Sequence, residues 1–170
     1  MLAGTETGLG PKKASSLDAL RHALLSGEQV DRSRAELALA RAYLVLGFTA
    51  EARAIASARP GAEAAGIAGL AMLAEGENEM AAAAVRESIS CGALYDFVLE
   101  AAVALGDETH RLSRRSIETL SRLPQALRQP VAEALAIDAL EAGDEAADKY
   151  IAVAVTGQPT RARPLWTRRR

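Results

Sequence analysis

Apolar residues recur at helical spacing along most of the chain, and short breaks rich in Gly, Pro, Ser and Asp separate the apolar segments. The segments are rich in Ala, Leu, Glu and Arg and poor in the β-branched and aromatic residues that strands favour. The pattern therefore predicts an all-α fold of about nine short helices, over 15–25, 31–46, 49–58, 62–75, 78–90, 93–105, 107–123, 130–142 and 145–155.

Four glycines fall between paired helices of this pattern. Gly47, Gly76, Gly106 and Gly143 are separated by 29, 30 and 37 residues, which is the range of periods found in helical repeat proteins. Connections of two to four residues make consecutive helices antiparallel neighbours. The spacing therefore predicts an α-solenoid, a stack of antiparallel helical hairpins.

Composition agrees with close helix packing. Of the 170 residues, 49% are hydrophobic but only 4% are aromatic, and 38 residues are Ala. Because Ala favours helix and buries little area, the core has to be built by close approach of helices. The single Cys excludes a disulfide framework and a cysteine-based zinc site.

One segment carries a family pattern, Leu39-Ala40-x-x-Tyr43-x-x-x-Gly47-x-x-x-Glu51-Ala52. It resembles a tetratricopeptide repeat, and the next unit is similar, with Ala68-Gly69, Met72, Gly76 and Ala81 at corresponding places. The resemblance covers about residues 33–90 and extends weakly over 93–155. The spacings of 29 and 30 residues are shorter than the 34 of that family, so the pattern indicates a degenerate tetratricopeptide-repeat-like array.

The resemblance implies a right-handed superhelix that binds an extended peptide or a partner helix on the concave surface formed by the first helix of each hairpin. The groove positions it implies in the two better repeats are Arg34, Leu37, Arg41, Leu44 and Val45, then Glu63, Gly66, Leu70, Leu73 and Ala74. Arg34 and Arg41 are the cations of this set. They are candidates to bind a carboxylate of the partner, or else they are ordinary solvated surface residues.

Charge is unevenly distributed. The chain has 20 Lys and Arg against 22 Asp and Glu, and five Arg but no acid lie in the last ten residues, so the remainder carries a charge of −7. An acidic body offers no electrostatic footprint for nucleic acid. The organisation predicted is a leader at 1–14, a repeat domain at 15–157 and a basic tail at 158–170. The tail, which contains Trp166, suits an RNA or membrane-surface contact or is a solubilising end.

The residue types of common active sites are scattered. His22 and His110 have no metal-ligand spacing to other candidate ligands, and Cys91 has no cationic cluster beside it that would activate a thiol. The glycines at 61–66 lack the Lys-Ser/Thr of a phosphate-binding loop. We therefore expect no catalytic activity, metal or cofactor. Cytoplasmic location is the default in the absence of a recognisable signal or membrane span, and a periplasmic or secreted location stays open if the chain is a fragment of a longer protein.

Three functional hypotheses follow. The first is a scaffold or adaptor that binds a peptide or partner protein on the concave face. The second is a structural or self-associating domain of a larger assembly, which exposed apolar residues near Ile151 and Val155 would favour. The third is a nucleic-acid adaptor that uses the tail and an arginine stripe of Arg111, Arg115 and Arg122, although these arginines also fit a solvent-facing helix surface.

Overall fold

The computed structural model describes residue 22 and residues 29–86, 92–106 and 110–157. This part of the chain forms eight helices and contains no strand, so the all-α prediction is confirmed for it. The helices are α1 (Gln29–Leu46), α2 (Thr49–Ser57), α3 (Ala62–Ala74), α4 (Asn78–Arg86), α5 (Ala93–Ala104), α6 (Arg114–Arg122), α7 (Gln125–Glu141) and α8 (Ala147–Thr156). The helix predicted over 15–25 lies outside the described residues except for His22, which is helical and exposed.

Three of the four repeated glycines end a helix in the same way. Gly47, Gly76 and Gly143 have φ of 84°, 80° and 67°, the left-handed region that favours glycine. In each turn the next residue donates its backbone N–H to a carbonyl five residues earlier, as Phe48 does to Tyr43 at 2.9 Å. The rings of these two residues also meet edge to face. Gly106 follows α5 without a positive φ.

Helix α3 is the centre of the fold. Its sequence is apolar on all sides, and residues 66–73 form an uninterrupted buried run. A helix that is apolar all round has to be covered on all sides. Accordingly, α3 packs against α1, α2, α4, α5 and α7.

Helix α6 begins later than the predicted start at 107. Its first residue is Arg114, and Ser113 is the N-cap, whose hydroxyl accepts a hydrogen bond from the Ser116 backbone N–H. Residues 110–113 are not helical. Glu100 of α5 holds this start, because it accepts hydrogen bonds from the Ser113 N–H at 2.8 Å and the Ser113 hydroxyl at 3.1 Å. A contact between helices thus overrides the local helical pattern.

Helix α7 begins at Gln125, five residues before the predicted start at Pro130. Pro130 lies inside the helix. A proline there leaves the carbonyl of Ala126 without its helical donor, and Ala126 is exposed, so water can hydrogen-bond that carbonyl. Taking Pro130 as a helix start was therefore wrong, because the proline is tolerated within the second turn.

The Glu100 carboxylate stabilises the start of α6 in a pH-dependent way. Burial raises its pKa, but hydrogen bonds from the Ser113 backbone and from the Ser116 and Ser113 side chains, together with nearby His110, lower the pKa more, so the net shift is downward. Its contribution to stability is therefore present above the usual carboxyl value of 4.5 and is lost as the pH falls through the lowered pKa.

We expect Glu100→Gln to lower the free energy of unfolding at pH 7 by about 1 kcal/mol, because the amide replaces a charged acceptor of several hydrogen bonds. The difference from the unsubstituted protein should narrow as the pH falls below 4.5. Urea unfolding at a series of pH values measures both effects. Glu118→Gln is the matched control, because Glu118 pairs with Arg114 on the exposed face of α6 and its loss should cost less than about 0.5 kcal/mol. A pH-independent effect of Glu100→Gln would contradict the assignment.

No helix among the described residues combines the length and the apolar character needed to cross a bilayer.

Candidate functional site

A cavity of about 640 Å³ lies between α1, α3, the start of α5 and the junction of α6 and α7. A volume of this size falls within the range of sites that bind small molecules or a few side chains. Its lining residues are Arg41, Leu44, Val45, Ala62, Glu63, Gly66, Ile67, Leu70, Gly92, Leu94, Tyr95, Leu123, Pro124 and Leu127.

The cavity is walled mainly by aliphatic side chains. Leu44, Ile67, Leu70 and Leu127 are buried residues of the core whose side chains also form its wall. Gly66 leaves room on the α3 side, since a Cβ built there would lie 3.7 Å from Leu94 Cδ2, an ordinary van der Waals distance. The site therefore suits an apolar group.

The position of α7 gives the cavity its fourth wall. Helix α7 packs on α1 and on α3, and its contact with each of these helices is more extensive than its contact with α5. In a simple stack of hairpins, α7 would mainly face α5, the first helix of the preceding hairpin. The contact is close at the end of α1, because a Cβ built on Gly47 would lie 3.1 Å from the Cβ of Ala126. The start of α7 thus narrows the surface formed by α1 and α3.

The cavity brings together six of the ten groove positions that the resemblance implies. They are Arg41, Leu44, Val45, Glu63, Gly66 and Leu70. The remaining four are not part of the lining. Arg34 is exposed, Leu37 and Ala74 pack partly buried against the core, and Leu73 is 2% exposed within the core.

One ion pair lies at the mouth of the cavity. Arg41 Nη2 is 2.5 Å from Glu63 Oε1, and the two side chains are 59% and 47% exposed. An exposed pair of this kind contributes about 0–1 kcal/mol, so it opens at little cost. Arg41, the candidate carboxylate-binding residue, thus already pairs with the Glu63 carboxylate of the same chain. The carboxylate of a ligand can displace Glu63 from this pair.

The sequence pattern did not identify the residues that α5 and the α6–α7 junction contribute. Leu94 and Tyr95 lie in the first turn of α5, and Leu123 and Pro124 connect α6 to α7. Pro124 predicts a break between two helices, but it does not indicate against which surface the connecting residues pack. Val45 and Pro124 also line a second, more open cavity of about 580 Å³ beside the first turns of α7.

The arginine stripe predicted for one helix does not form. Arg111 precedes α6, and its Nε lies 2.6 Å from Asp144 Oδ2, beside the turn between α7 and α8. Arg115 lies on α6 and pairs with Asp96 of α5 at 3.4 Å. The placement of all three arginines on one helical face was therefore wrong, because the helix starts after Arg111.

The other candidate residues do not meet in a site. His110 is exposed in the segment before α6, so it is a surface residue but not a helical one, and Cys91 and the tail 158–170 lie outside the described residues. Within the described ranges, no three His, Cys, Asp or Glu side chains are arranged to hold a metal ion.

Comparison with known proteins adds no relative. The chain matches no protein-family model, no curated protein and no solved structure.

Proposed function

We propose that this chain is a non-catalytic protein-interaction module, a tetratricopeptide-repeat-like right-handed array that binds a short peptide segment of a partner protein. The observation that carries the proposal is the cavity beside Arg41. Arg41, Leu44, Val45 and Leu70, which the tetratricopeptide-repeat resemblance implies as groove positions, line it together. Helical repeat proteins bind peptides on such surfaces because every hairpin presents its first helix to the same side.

The three equivalent glycine turns support a repeat origin. Gly47, Gly76 and Gly143 each end the first helix of a pair, with the same sign of φ and the same hydrogen-bond pattern. One local design thus connects α1 to α2, α3 to α4 and α7 to α8, as expected of repeated hairpins.

The chemistry of the cavity favours a peptide with one or two aliphatic or aromatic side chains next to a carboxylate. The walls accept the apolar side chains, and burying each of them contributes about 1.5–3 kcal/mol. Arg41 lies at the mouth and can exchange Glu63 for the carboxylate of the peptide. The occupant proposed here is therefore an acidic peptide with apolar anchors.

Selection of a random peptide library displayed on phage against the full chain tests this function. We expect selected peptides to share an apolar residue close to Asp or Glu. Val45→Asp and Arg41→Glu should each weaken binding by about tenfold or more, measured by fluorescence polarisation of a labelled peptide. Val45 is 46% exposed, so an Asp there is compatible with folding, whereas an Asp at Leu44, which is 5% exposed, would disturb the core.

Met80→Asp is the matched control. Met80 is 54% exposed on α4 and does not line the cavity, so the same kind of substitution there should leave peptide affinity unchanged. Selection without a common motif, or equal weakening by Val45→Asp and Met80→Asp, would exclude peptide binding in this cavity.

A specific observation favours self-association as a second function. The last hairpin exposes Ile137, Leu140, Ile151 and Val155, with Val155 77% exposed. Apolar side chains concentrated on one hairpin are typical of a surface that a second copy covers. If they form a dimer interface, the mass measured by light scattering should be that of a dimer and should fall to that of a monomer in Val155→Asp. A monomeric mass at high concentration would exclude this function.

A further inference from the structure

We propose that the segment 164–166 of the C-terminal tail, Pro-Leu-Trp, docks into the cavity beside Arg41 in the same chain and excludes the peptide partner. The docking is intramolecular and needs no partner. Its regulatory consequence rests on the proposed function, because the tail can exclude a peptide only if the peptide binds there.

The point where the tail leaves α8 adjoins the wall of the cavity. Gly157 follows the last turn of α8, and a Cβ built on it would lie 2.9 Å from Cζ of Arg128 on α7. Nη1 of Arg128 donates a hydrogen bond to the carbonyl oxygen of Leu123 at 3.2 Å, and Leu123 lines the cavity. A single guanidinium group thus connects the origin of the tail to the cavity wall.

The tail is long enough for its apolar segment to pass across one helix from Gly157. Six residues, 158–163, separate Gly157 from the apolar segment. At about 3.3 Å for each extended residue they span about 20 Å, which is more than the reach across one helix of about 10 Å diameter.

The chemistry of the tail complements that of the cavity. Leu165 and Trp166 of the tail are bulky apolar residues. The cavity is lined mainly by aliphatic side chains together with Tyr95, and Gly66 has no side chain that would fill it. Arginines flank the segment at 161, 163 and 168–170, while the rest of the chain carries a charge of −7. Glu63 is 47% exposed at the mouth and can pair with one of these arginines when Arg41 releases it.

Trp166 is the only tryptophan of the chain, so intrinsic fluorescence of the full chain reports on this residue alone. We expect blue-shifted emission and acrylamide quenching several-fold weaker than in a free peptide of residues 158–170. Both values should be independent of protein concentration. Emission and quenching equal to those of the free peptide would overturn the proposal, and a dependence on concentration would assign the docking to a second copy and overturn it too.

Variants of the cavity locate the docking site. Gly66→Leu fills the cavity and Val45→Asp makes it polar, so both should move the emission and quenching of Trp166 towards those of the free peptide. Met80→Asp, at a position on α4 that is 54% exposed and does not line the cavity, should leave them unchanged. Far-UV circular dichroism checks that each variant is folded. If Gly66→Leu does not fold, Val45→Asp alone locates the docking site. Protection of Trp166 that persists in a folded cavity variant would place the tail elsewhere and overturn the proposal.

The two proposals fail separately. If Trp166 is protected in the cavity and no peptide is selected from the library, docking stands and partner binding fails. If selected peptides bind and Trp166 is fully quenched, partner binding stands and docking fails. If both hold, Trp166→Ala should raise the affinity for the selected peptide several-fold, because the competing segment has lost its main anchor.

Discussion

Gly69→Ala is expected to lower the free energy of unfolding by about 2 kcal/mol, although alanine is the better helix former. Gly69 lies where α3 crosses α4 and α5. A Cβ built there would lie 2.9 Å from Cγ1 of Val98 and 3.0 Å from Cγ1 of Val85, and both valines are fully buried. Because a β-branched side chain has few alternative rotamers in a helix, relief requires the helices to separate. Urea unfolding followed by circular dichroism measures the loss.

Gly66→Ala on the same helix is the matched control. Its Cβ meets only Leu94 Cδ2, at 3.7 Å, so no atom has to move. We expect this variant to be about 0.5–1 kcal/mol more stable than the unsubstituted protein, since alanine replaces glycine inside a helix. The two substitutions are expected to change the free energy of unfolding in opposite directions, so together they separate the effect of close packing from that of helix propensity. Stabilisation by both substitutions would contradict the close approach of α3 to α4 and α5 at Val85 and Val98.

Gly47→Val is expected to lower the free energy of unfolding by about 3 kcal/mol. At φ +84° a β-branched residue is strained by about 2 kcal/mol whatever its surroundings. In addition, its Cβ would lie 3.1 Å from the Cβ of Ala126, so the end of α1 has to move away from α7. Because α7 forms one wall of the cavity, the same substitution should weaken peptide binding.

Gly76→Val separates the backbone strain of the turn from the contact between α1 and α7. Gly76 has φ +80° in an equivalent turn, and a Cβ built there meets no atom within 4 Å. We expect Gly76→Val to cost about 2 kcal/mol, the strain alone, and to leave peptide binding unchanged. The difference of about 1 kcal/mol between the two variants measures the contact between α1 and α7. Equal losses in stability would show that this contact contributes nothing.

The sequence alone was sufficient to predict the helices from 31 to 75 and the start of α4 at residue 78. Their signals are local: apolar residues at helical spacing form one element, and a glycine such as Gly47 or Gly76 ends it in a left-handed turn. The resemblance to a tetratricopeptide repeat implied groove positions at Arg41, Leu44 and Val45 on α1, and at Leu70 on α3. All four line the cavity.

Only the tertiary structure decided where α6 begins, where α7 packs and what closes the cavity. The start of α6 depends on a hydrogen bond between Ser113 and Glu100, which are 13 residues apart in sequence and belong to different elements. Periodicity shows which face of a helix is apolar, but it does not show which other helix covers that face. Leu123, Pro124 and Leu127 therefore carried no sequence signal for the cavity, and the packing of α7 on α1 and α3 brought them there.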